Sequence, residues 1–158
     1  MKKYIGVKVI EAEPMSRGDY NKYRGWTIPA DEDPEDEGYL VKYPDGYVSW
    51  SPKLQFEEAY RETSGGMTFG HAIEAMKKGH RVSRRGWNGK GMYIYITPGS
   101  KVLKHHLRIE TAYMLAGEPG TTFTFNSHID MKAADGTIVV GWLASQTDML
   151  AEDWMIVE

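Results

Sequence analysis

Hydrophobic and polar positions alternate along this chain in short blocks that predict a mixed α+β protein. Strand patterns, with apolar residues at every second position, occur at 4–12, 38–43, 47–50, 80–84, 91–96, 123–132, 137–141 and 154–157. Helical spacing occurs at 16–23, 51–60, 68–78, 101–115 and 145–152. Turn residues between adjacent strands, Asp45 with Gly46 and Asp135 with Gly136, predict antiparallel hairpins.

Three of the predicted helices start at residues that favour capping. Ser16 is followed by Asp19 three positions later, Ser51 precedes Pro52, and Thr68 stands before an apolar stripe. Side-chain oxygens at such positions satisfy the unpaired N–H groups of a first helical turn, and proline fits there because it lacks one. We therefore expect helices to begin at these three places.

A flexible joint of Ser64, Gly65 and Gly66 divides the chain, because the apolar pattern stops before it and restarts after it. Residues 1–63 are predicted to form a small N-terminal α+β module. Residues 67–158 are predicted to form a C-terminal module, in which one N-terminal helix packs on an antiparallel β-sheet.

The composition is typical of a soluble globular protein, with 41% hydrophobic and 26% charged residues among 158. No run approaches the roughly eighteen apolar residues of a membrane span, and the first residues lack the apolar stretch of a signal peptide. We therefore expect a cytoplasmic protein with no membrane partner. The chain has no cysteine, which excludes disulfides, a thiolate nucleophile and cysteine-ligated zinc.

Charge is distributed unevenly around the formal net value of −3. Residues 1–63 hold nine Lys and Arg against thirteen Asp and Glu, and residues 109–158 are also acidic. Between them, residues 71–108 hold nine basic residues and a single acidic one, Glu74. A basic segment inside an acidic protein suits a small anionic ligand, whereas duplex nucleic acid favours a wide basic face. We therefore expect no duplex nucleic acid partner.

The string GWLASQTDMLAEDW at 141–154 has a composition that a plain core segment does not show. Two tryptophans, Trp142 and Trp154, bracket four polar side chains. These are Ser145, Gln146, Thr147 and Asp148. The combination is typical of a surface that holds a planar, polar ligand.

A second string, RRGWNGKGMYIYI at 84–96, carries related chemistry. Trp87 offers a ring on which a nucleobase can stack, and the side-chain amide of Asn88 can hydrogen-bond a base edge. Arginines and the backbone N–H groups of glycine-rich turns suit phosphate. Because neighbouring strand residues point to opposite faces, at most one of Arg84 and Arg85 is expected to serve a given pocket.

In content, order and position, these two strings resemble the Thoeris anti-defense 2 family of phage proteins, over residues 67–158. The resemblance implies a domain in the host cytoplasm that sequesters a cyclic ADP-ribose-type immune signal, with no catalytic residues, metal or cofactor. It also implies a homotetramer with pockets where subunits meet, and a second site for cyclic di- or trinucleotides. The expected ligand-binding residues are Arg85, Trp87, Asn88, Met92, Trp142, Ser145, Gln146, Thr147 and Asp148.

The resemblance also implies roles for individual side chains in the C-terminal string. Asp148 is expected to accept hydrogen bonds from ribose hydroxyls, and Ser145 and Gln146 to contact base or phosphate. Trp142 is expected to form a pocket wall or part of the core. Trp154 precedes three apolar residues, so we expect it in the core.

Several of these residues have a plain structural alternative. Trp87 can fill a gap beneath a loop, and Asn88 with Gly89 is a common hairpin turn. Ser145 and Asp148 have the spacing of a capping box, in which hydroxyl and carboxylate satisfy backbone N–H groups. The sequence leaves both interpretations open.

Two other functions also stay open on the sequence. His128 and Asp130 share a strand face, and with His105 or His106 they suggest a metal-dependent nucleotide hydrolase or phosphodiesterase. The histidines do not show the spacing of a metal site. A third hypothesis is an adaptor whose acidic loop, 31–37, binds another protein.

Overall fold

A computed structural model describes residues 1–158 and confirms the α+β fold class. The chain forms two compact units, Met1–Arg61 and Glu62–Glu158. All sheets are antiparallel. No helix has the length and apolar character needed to cross a membrane.

The first unit consists of a three-stranded sheet and two helices. Its elements in chain order are β1 (Glu11–Pro14), α1 (Arg17–Tyr23), β2 (Gly38–Lys42), β3 (Val48–Pro52) and α2 (Lys53–Ala59). The strand order is β1-β2-β3, and α2 packs on β2 and β3. Ser16 caps α1 by accepting from the backbone N–H of Asp19 at 3.1 Å, as predicted.

The predicted strand at 4–12 is wrong over most of its length. Strand β1 begins only at Glu11, and residues 1–10 have no regular secondary structure. Glu11 pairs with Lys42, which is the last residue of β2 before the hairpin turn. Residues before Glu11 therefore have no partner strand, although their side chains alternate in the pattern of one.

The predicted cap of α2 is wrong in detail. Ser51 lies in β3, and the helix begins at Lys53 with Pro52 as its N-cap and no side-chain hydrogen bond. The hairpin register explains this difference, because Ser51 pairs with Tyr39 and is held in the sheet.

The second unit is built around a five-stranded sheet. Its helices are α3 (Phe69–Lys77), α4 (Ile109–Met114) and α5 (Gln146–Met149), with a 3-10 turn at Lys104–His106. Its strands are β4 (Arg81–Arg84), β5 (Tyr93–Thr97), β6 (Ser100–Leu103), β7 (Thr122–Phe125), β8 (His128–Lys132), β9 (Ile138–Val139) and β10 (Trp154–Val157). The sheet order is β10-β4-β5-β8-β9, and β6 pairs separately with β7.

Helix α3 packs on β10, β4 and β5, which confirms the expected arrangement of one helix on an antiparallel sheet. Thr68 caps this helix by accepting from the backbone N–H of His71, and Gly79 follows its end with a φ of +92°. The buried residues of the core are Met67, Ala72, Ala75, Met76, Val82, Ile94, Met131 and Trp154.

The predicted helix at 101–115 is wrong in its first half. Strand β6 and the 3-10 turn occupy that part, and only α4 is α-helical. Val102 pairs with Phe123 of β7, so the strand is created by a distant partner that local spacing does not reveal.

The predicted strand at 123–132 is two strands. Strands β7 and β8 belong to different sheets and are separated by Asn126 and Ser127. The hairpin closed by Asp135 and Gly136 is confirmed, with β8 and β9 as its arms.

Candidate functional site

Two segments that are far apart in the sequence meet beside helix α5. Trp87 lies in the turn after β4 and Trp142 in the loop after β9, and their ring centroids are 6.1 Å apart. Trp154, the first residue of β10, lies 5.4 Å from Trp87 and 6.5 Å from Trp142. A cluster of three tryptophans therefore joins the two motifs within one chain.

The three indoles pack edge to face, with interplanar angles between 70° and 77°. They form no parallel pair of rings between which a base could be sandwiched. Trp154 is fully buried in the core, as predicted, whereas Trp87 and Trp142 are half-buried. The exposed indole surface of the cluster therefore belongs to Trp87 and Trp142, and not to Trp154.

The carboxylate of Asp148 links this cluster to α5. Its Oδ1 accepts from Trp87 Nε1 at 3.0 Å and from Arg84 Nη1 at 2.8 Å. Its Oδ2 accepts from the hydroxyl of Ser145 at 2.7 Å and from the Ser145 backbone N–H at 3.3 Å. The capping box of Ser145 and Asp148 is therefore present, and the four acceptor positions of the carboxylate are in use.

Arg84 holds two carboxylates at once. Besides Asp148 it binds Asp153, with 2.8 Å between Nε and Oδ1. Asp153 Oδ2 also accepts from the backbone N–H of Gly86 at 2.7 Å. Only 13% of the Arg84 side chain and 14% of the Asp148 side chain are exposed. This largely buried network connects the end of β4, helix α5 and the residue before β10.

The network keeps both carboxyl groups ionised at neutral pH. Desolvation acts to raise the pKa of Asp148, but hydrogen bonds from Arg84, Ser145 and Trp87 lower this pKa to about 2. The hydrogen bond from Arg84 is also the main cause of the lowered pKa of Asp153. Conversely, the bonds to Asp153 and then Asp148 raise the pKa of Arg84. The three groups together carry one negative charge.

Four of the nine predicted ligand residues form one connected set. They are Trp87, Trp142, Ser145 and Asp148. Met92 is half-buried and packs against the core of the same unit. Three further predicted residues have exposed polar side chains. They are Asn88 in the turn after β4, and Gln146 and Thr147 in the first turn of α5.

Arg85, the arginine in the predicted set, does not join the network of Asp148. It is exposed and donates from Nη2 to the backbone carbonyl of Ser64 at 3.2 Å. Arg84 is absent from that set although it binds Asp148 directly. Arg84 stands two residues after the buried Val82, so alternation along β4 places it on the inner face of the sheet. This alternation is the feature of the sequence that could have identified Arg84 as a site residue.

The histidines of the hydrolase hypothesis lie in two places. His128 Nε2 is 3.4 Å from Asp130 Oδ1, on strand β8. The rings of His105 and His106 are 4.2 Å apart in the 3-10 turn. No group of three or more His, Asp or Glu side chains is placed to hold a metal ion.

Comparison with known proteins places the tryptophan cluster and its carboxylates inside one family segment. Residues 67–157 match the Thoeris anti-defense 2-like domain. The Thoeris anti-defense 2 protein of Bacillus phage SP01 is 38% identical over 98 residues, which cover 58% of this chain and 94% of the phage protein. The resemblance expected from the two tryptophan strings is thereby confirmed, and the chain belongs to the Thoeris anti-defense 2-like family.

Proposed function

We propose that this protein acts in phage anti-defence against Thoeris immunity, by sequestering a cyclic ADP-ribose-type nucleotide that it does not cleave. The observation that carries the proposal is membership of the Thoeris anti-defense 2-like family over the segment in which both tryptophan motifs meet. The nucleotide is a ligand of this segment, and the protein acts in the host cytoplasm.

The outer parts of Trp87 and Trp142 form the proposed platform for the base. Stacking on an aromatic side chain contributes about 1–3 kcal/mol per base. The exposed polar side chains beside it then bind the base edge, the ribose and the phosphates. These side chains are Arg85, Asn88, Ser145, Gln146 and Thr147.

Asp148 has a different proposed role from the direct contact with ribose that the family resemblance implied. Its acceptor positions are already filled by Arg84, Trp87 and Ser145. A ribose hydroxyl would have to displace one of these donors. We therefore propose that Asp148 fixes the position of the Trp87 indole relative to the first turn of α5. The binding surface is then preorganised before the ligand binds.

A second copy of the chain is the proposed cover of this surface. Three apolar side chains beside the site are strongly exposed, and we call them the apolar rim: Val140, Leu143 and Leu150. Leu143 and Leu150 expose 89% and 81% of their surface, and together with Val140 they offer apolar area that a second molecule can bury. A symmetric assembly, which we propose to be a homotetramer, buries the rim and closes the ligand pocket.

Sequestration needs tight binding and no turnover. A nanomolar Kd corresponds to about −12 kcal/mol, which a preformed pocket that encloses most of the ligand can supply. The lowered pKa of Asp148 supports a role without chemistry, because a carboxylate paired with Arg84 is a poor general acid or base at neutral pH. Asp130 is likewise occupied, by Thr97 and Gly141.

The test measures binding and the fate of the ligand in one experiment. Purified protein is titrated calorimetrically with cyclic ADP-ribose isomers and with cyclic di- and trinucleotides. Each complex is then heat-denatured, and the recovered nucleotide is identified by mass spectrometry, with and without EDTA. We expect a cyclic ADP-ribose-type nucleotide to bind with nanomolar Kd and to be recovered intact.

The same experiment separates the alternatives. Recovery of a cleaved nucleotide, lost on addition of EDTA, would favour the metal-dependent hydrolase. Failure of every nucleotide to bind would refute sequestration. A cyclic oligonucleotide that binds without displacing the ADP-ribose-type ligand would locate a second site.

A further inference from the structure

The connection from β9 to Trp142 departs from the regular ladder of the β8–β9 hairpin. Lys132 pairs with Ile138 and Met131 with Val139, so a regular ladder would set Ile129 opposite residue 141. Instead, the backbone N–H of Trp142 donates to Ile129 O at 2.7 Å. The segment that follows β9 therefore contains one residue more than a regular ladder with β8 would have. Such an extra residue on one strand defines a β-bulge.

The extra residue decides which face of the sheet receives Trp142. Side chains alternate along a strand, so a regular ladder would put Trp142 on the face opposite to that of Val139 and Met131. The bulge restores Trp142 to the face of Met131, where it packs against the core next to Trp87 and Trp154. Bulges commonly redirect a side chain beside a functional site in this way.

Asp130 fastens the bulge from strand β8. Its Oδ1 accepts from the backbone N–H of Gly141 at 3.0 Å, and its Oδ2 accepts from the hydroxyl of Thr97 at 2.5 Å. The residue is only 5% exposed, and His128 Nε2 is 3.4 Å from the same Oδ1. Gly141 has a φ of +74°, a conformation that favours glycine. The N–H that the bulge removes from the ladder thus finds its acceptor in the Asp130 carboxylate.

On the basis of the proposed function, we infer that Asp130 is a positioning residue. It turns the Trp142 indole toward Trp87 and thereby completes the aromatic platform for the nucleotide. It acts through Gly141 and touches no ligand. This assigns a role to a buried carboxylate that the hydrolase hypothesis would place among catalytic groups.

The test uses the full chain with Asp130→Leu and Asp130→Asn, and two readouts. Coupled indoles give an exciton couplet in circular dichroism, which is recorded without ligand, and nucleotide affinity is recorded by calorimetry. Asp130→Leu removes the acceptors of both the Gly141 N–H and the Thr97 hydroxyl. We therefore expect a couplet like that of a Trp142→Phe reference, and a nucleotide affinity that is roughly tenfold weaker than that of the wild-type protein. In Asp130→Asn the amide oxygen accepts from Gly141 and the amide N–H donates to Thr97, so couplet and most of the affinity are restored.

Two further variants keep the test decisive. Asp135→Asn alters the opposite end of the same hairpin, where Asp135 accepts from Thr137, and we expect a wild-type couplet. Deletion of Val140 removes one residue from the bulge and leaves Asp130 in place, and we expect the couplet of Trp142→Phe. If Asp130→Leu does not fold, the couplets of Asp130→Asn and of the Val140 deletion test the inference instead.

Specific outcomes would overturn the inference. A wild-type couplet in Asp130→Leu, or in the Val140 deletion, would show that Asp130 and the bulge do not position Trp142. A wild-type couplet in Asp130→Asn with abolished binding would show that Asp130 acts by its charge. Because the couplet is measured without ligand, failure of the wild-type protein to bind any nucleotide would refute the proposed function and leave this result intact.

Discussion

Arg84 and Asp148 form an ion pair of 2.8 Å, and the same carboxylate oxygen of Asp148 accepts the indole N–H of Trp87 at 3.0 Å. The ion pair and the tryptophan cluster are therefore joined through one carboxylate oxygen. Removal of Arg84 is therefore expected to disturb Asp148 and, through its hydrogen bonds, Trp87 and Ser145. The family segment thus contains one hydrogen-bonded network that joins residues 84–87 to residues 145–153.

Arg84→Met is expected to lower the free energy of unfolding by about 3 kcal/mol, because it leaves the largely buried Asp148 and the partly buried Asp153 without their cation. Arg85→Met is the matched control. Arg85 is exposed, so its replacement should change stability by no more than about 0.5 kcal/mol. Urea unfolding followed by tryptophan fluorescence measures both. Equal stability of the two variants would contradict a central role for Arg84.

Acid should destabilise the fold through Asp148. Its folded-state pKa of about 2 lies below the ordinary value of 3.8, so ionised Asp148 stabilises the native state above about pH 4. This contribution, about 2 kcal/mol, is lost as the pH falls through 2. In Asp148→Asn the decrease in the free energy of unfolding between pH 5 and pH 2 should be smaller by that amount than in the wild-type protein. Urea unfolding at pH 5, 4, 3 and 2 measures it, with the exposed Glu118→Gln as control. A parallel pH profile in Asp148→Asn would refute this assignment.

Local features of the fold were predictable from the sequence. The caps at Ser16 and Thr68 were correct because each involves residues within one helical turn. The burial of Trp154 followed from the apolar run after it. The capping box of Ser145 and Asp148 was also foreseen, although the sequence could not decide between this structural role and ligand binding.

The site network was not predictable, because its partners are distant in the chain. Arg84 and Asp148 are 64 positions apart and meet only because β10 pairs with β4. The direction of Trp142 was also hidden, since a one-residue bulge reverses the alternation that sequence patterns assume. The strand pattern at 4–12 failed for the opposite reason, because good alternation met no partner strand.

Trp87→Ala should weaken nucleotide binding by between about fivefold and a hundredfold, which is the loss of one stacked base. The control is Trp26→Ala, which removes a half-exposed tryptophan of the first unit. Calorimetry on both folded variants compares the Kd values. If Trp87→Ala binds like the wild-type protein, the proposed platform is wrong, even where sequestration itself is correct.

Leu143→Glu and Leu150→Glu should break the proposed assembly. Each puts a charge into the apolar rim, and burial of an unpaired charge against a second copy is strongly unfavourable. Leu54→Glu is the control, because Leu54 is similarly exposed on α2 of the first unit. Light scattering after size-exclusion chromatography should show smaller particles for the rim variants only. If both the particle mass and the nucleotide affinity are unchanged, the apolar rim is part of neither the assembly interface nor the ligand pocket.

The fragment Glu62–Glu158 should fold and bind the nucleotide as the full chain does. It contains the complete sheet, helix α3 and every residue of the proposed site, and it spans the family segment 67–157. Its Kd should agree with that of the full chain within about twofold, well below the tenfold that 1.4 kcal/mol represents. Circular dichroism checks the fold, and calorimetry measures the Kd. A folded fragment that has lost binding would show that residues 1–61 take part in the site. Retained binding would free the first unit for a separate task, such as the adaptor role suggested by its acidic loop.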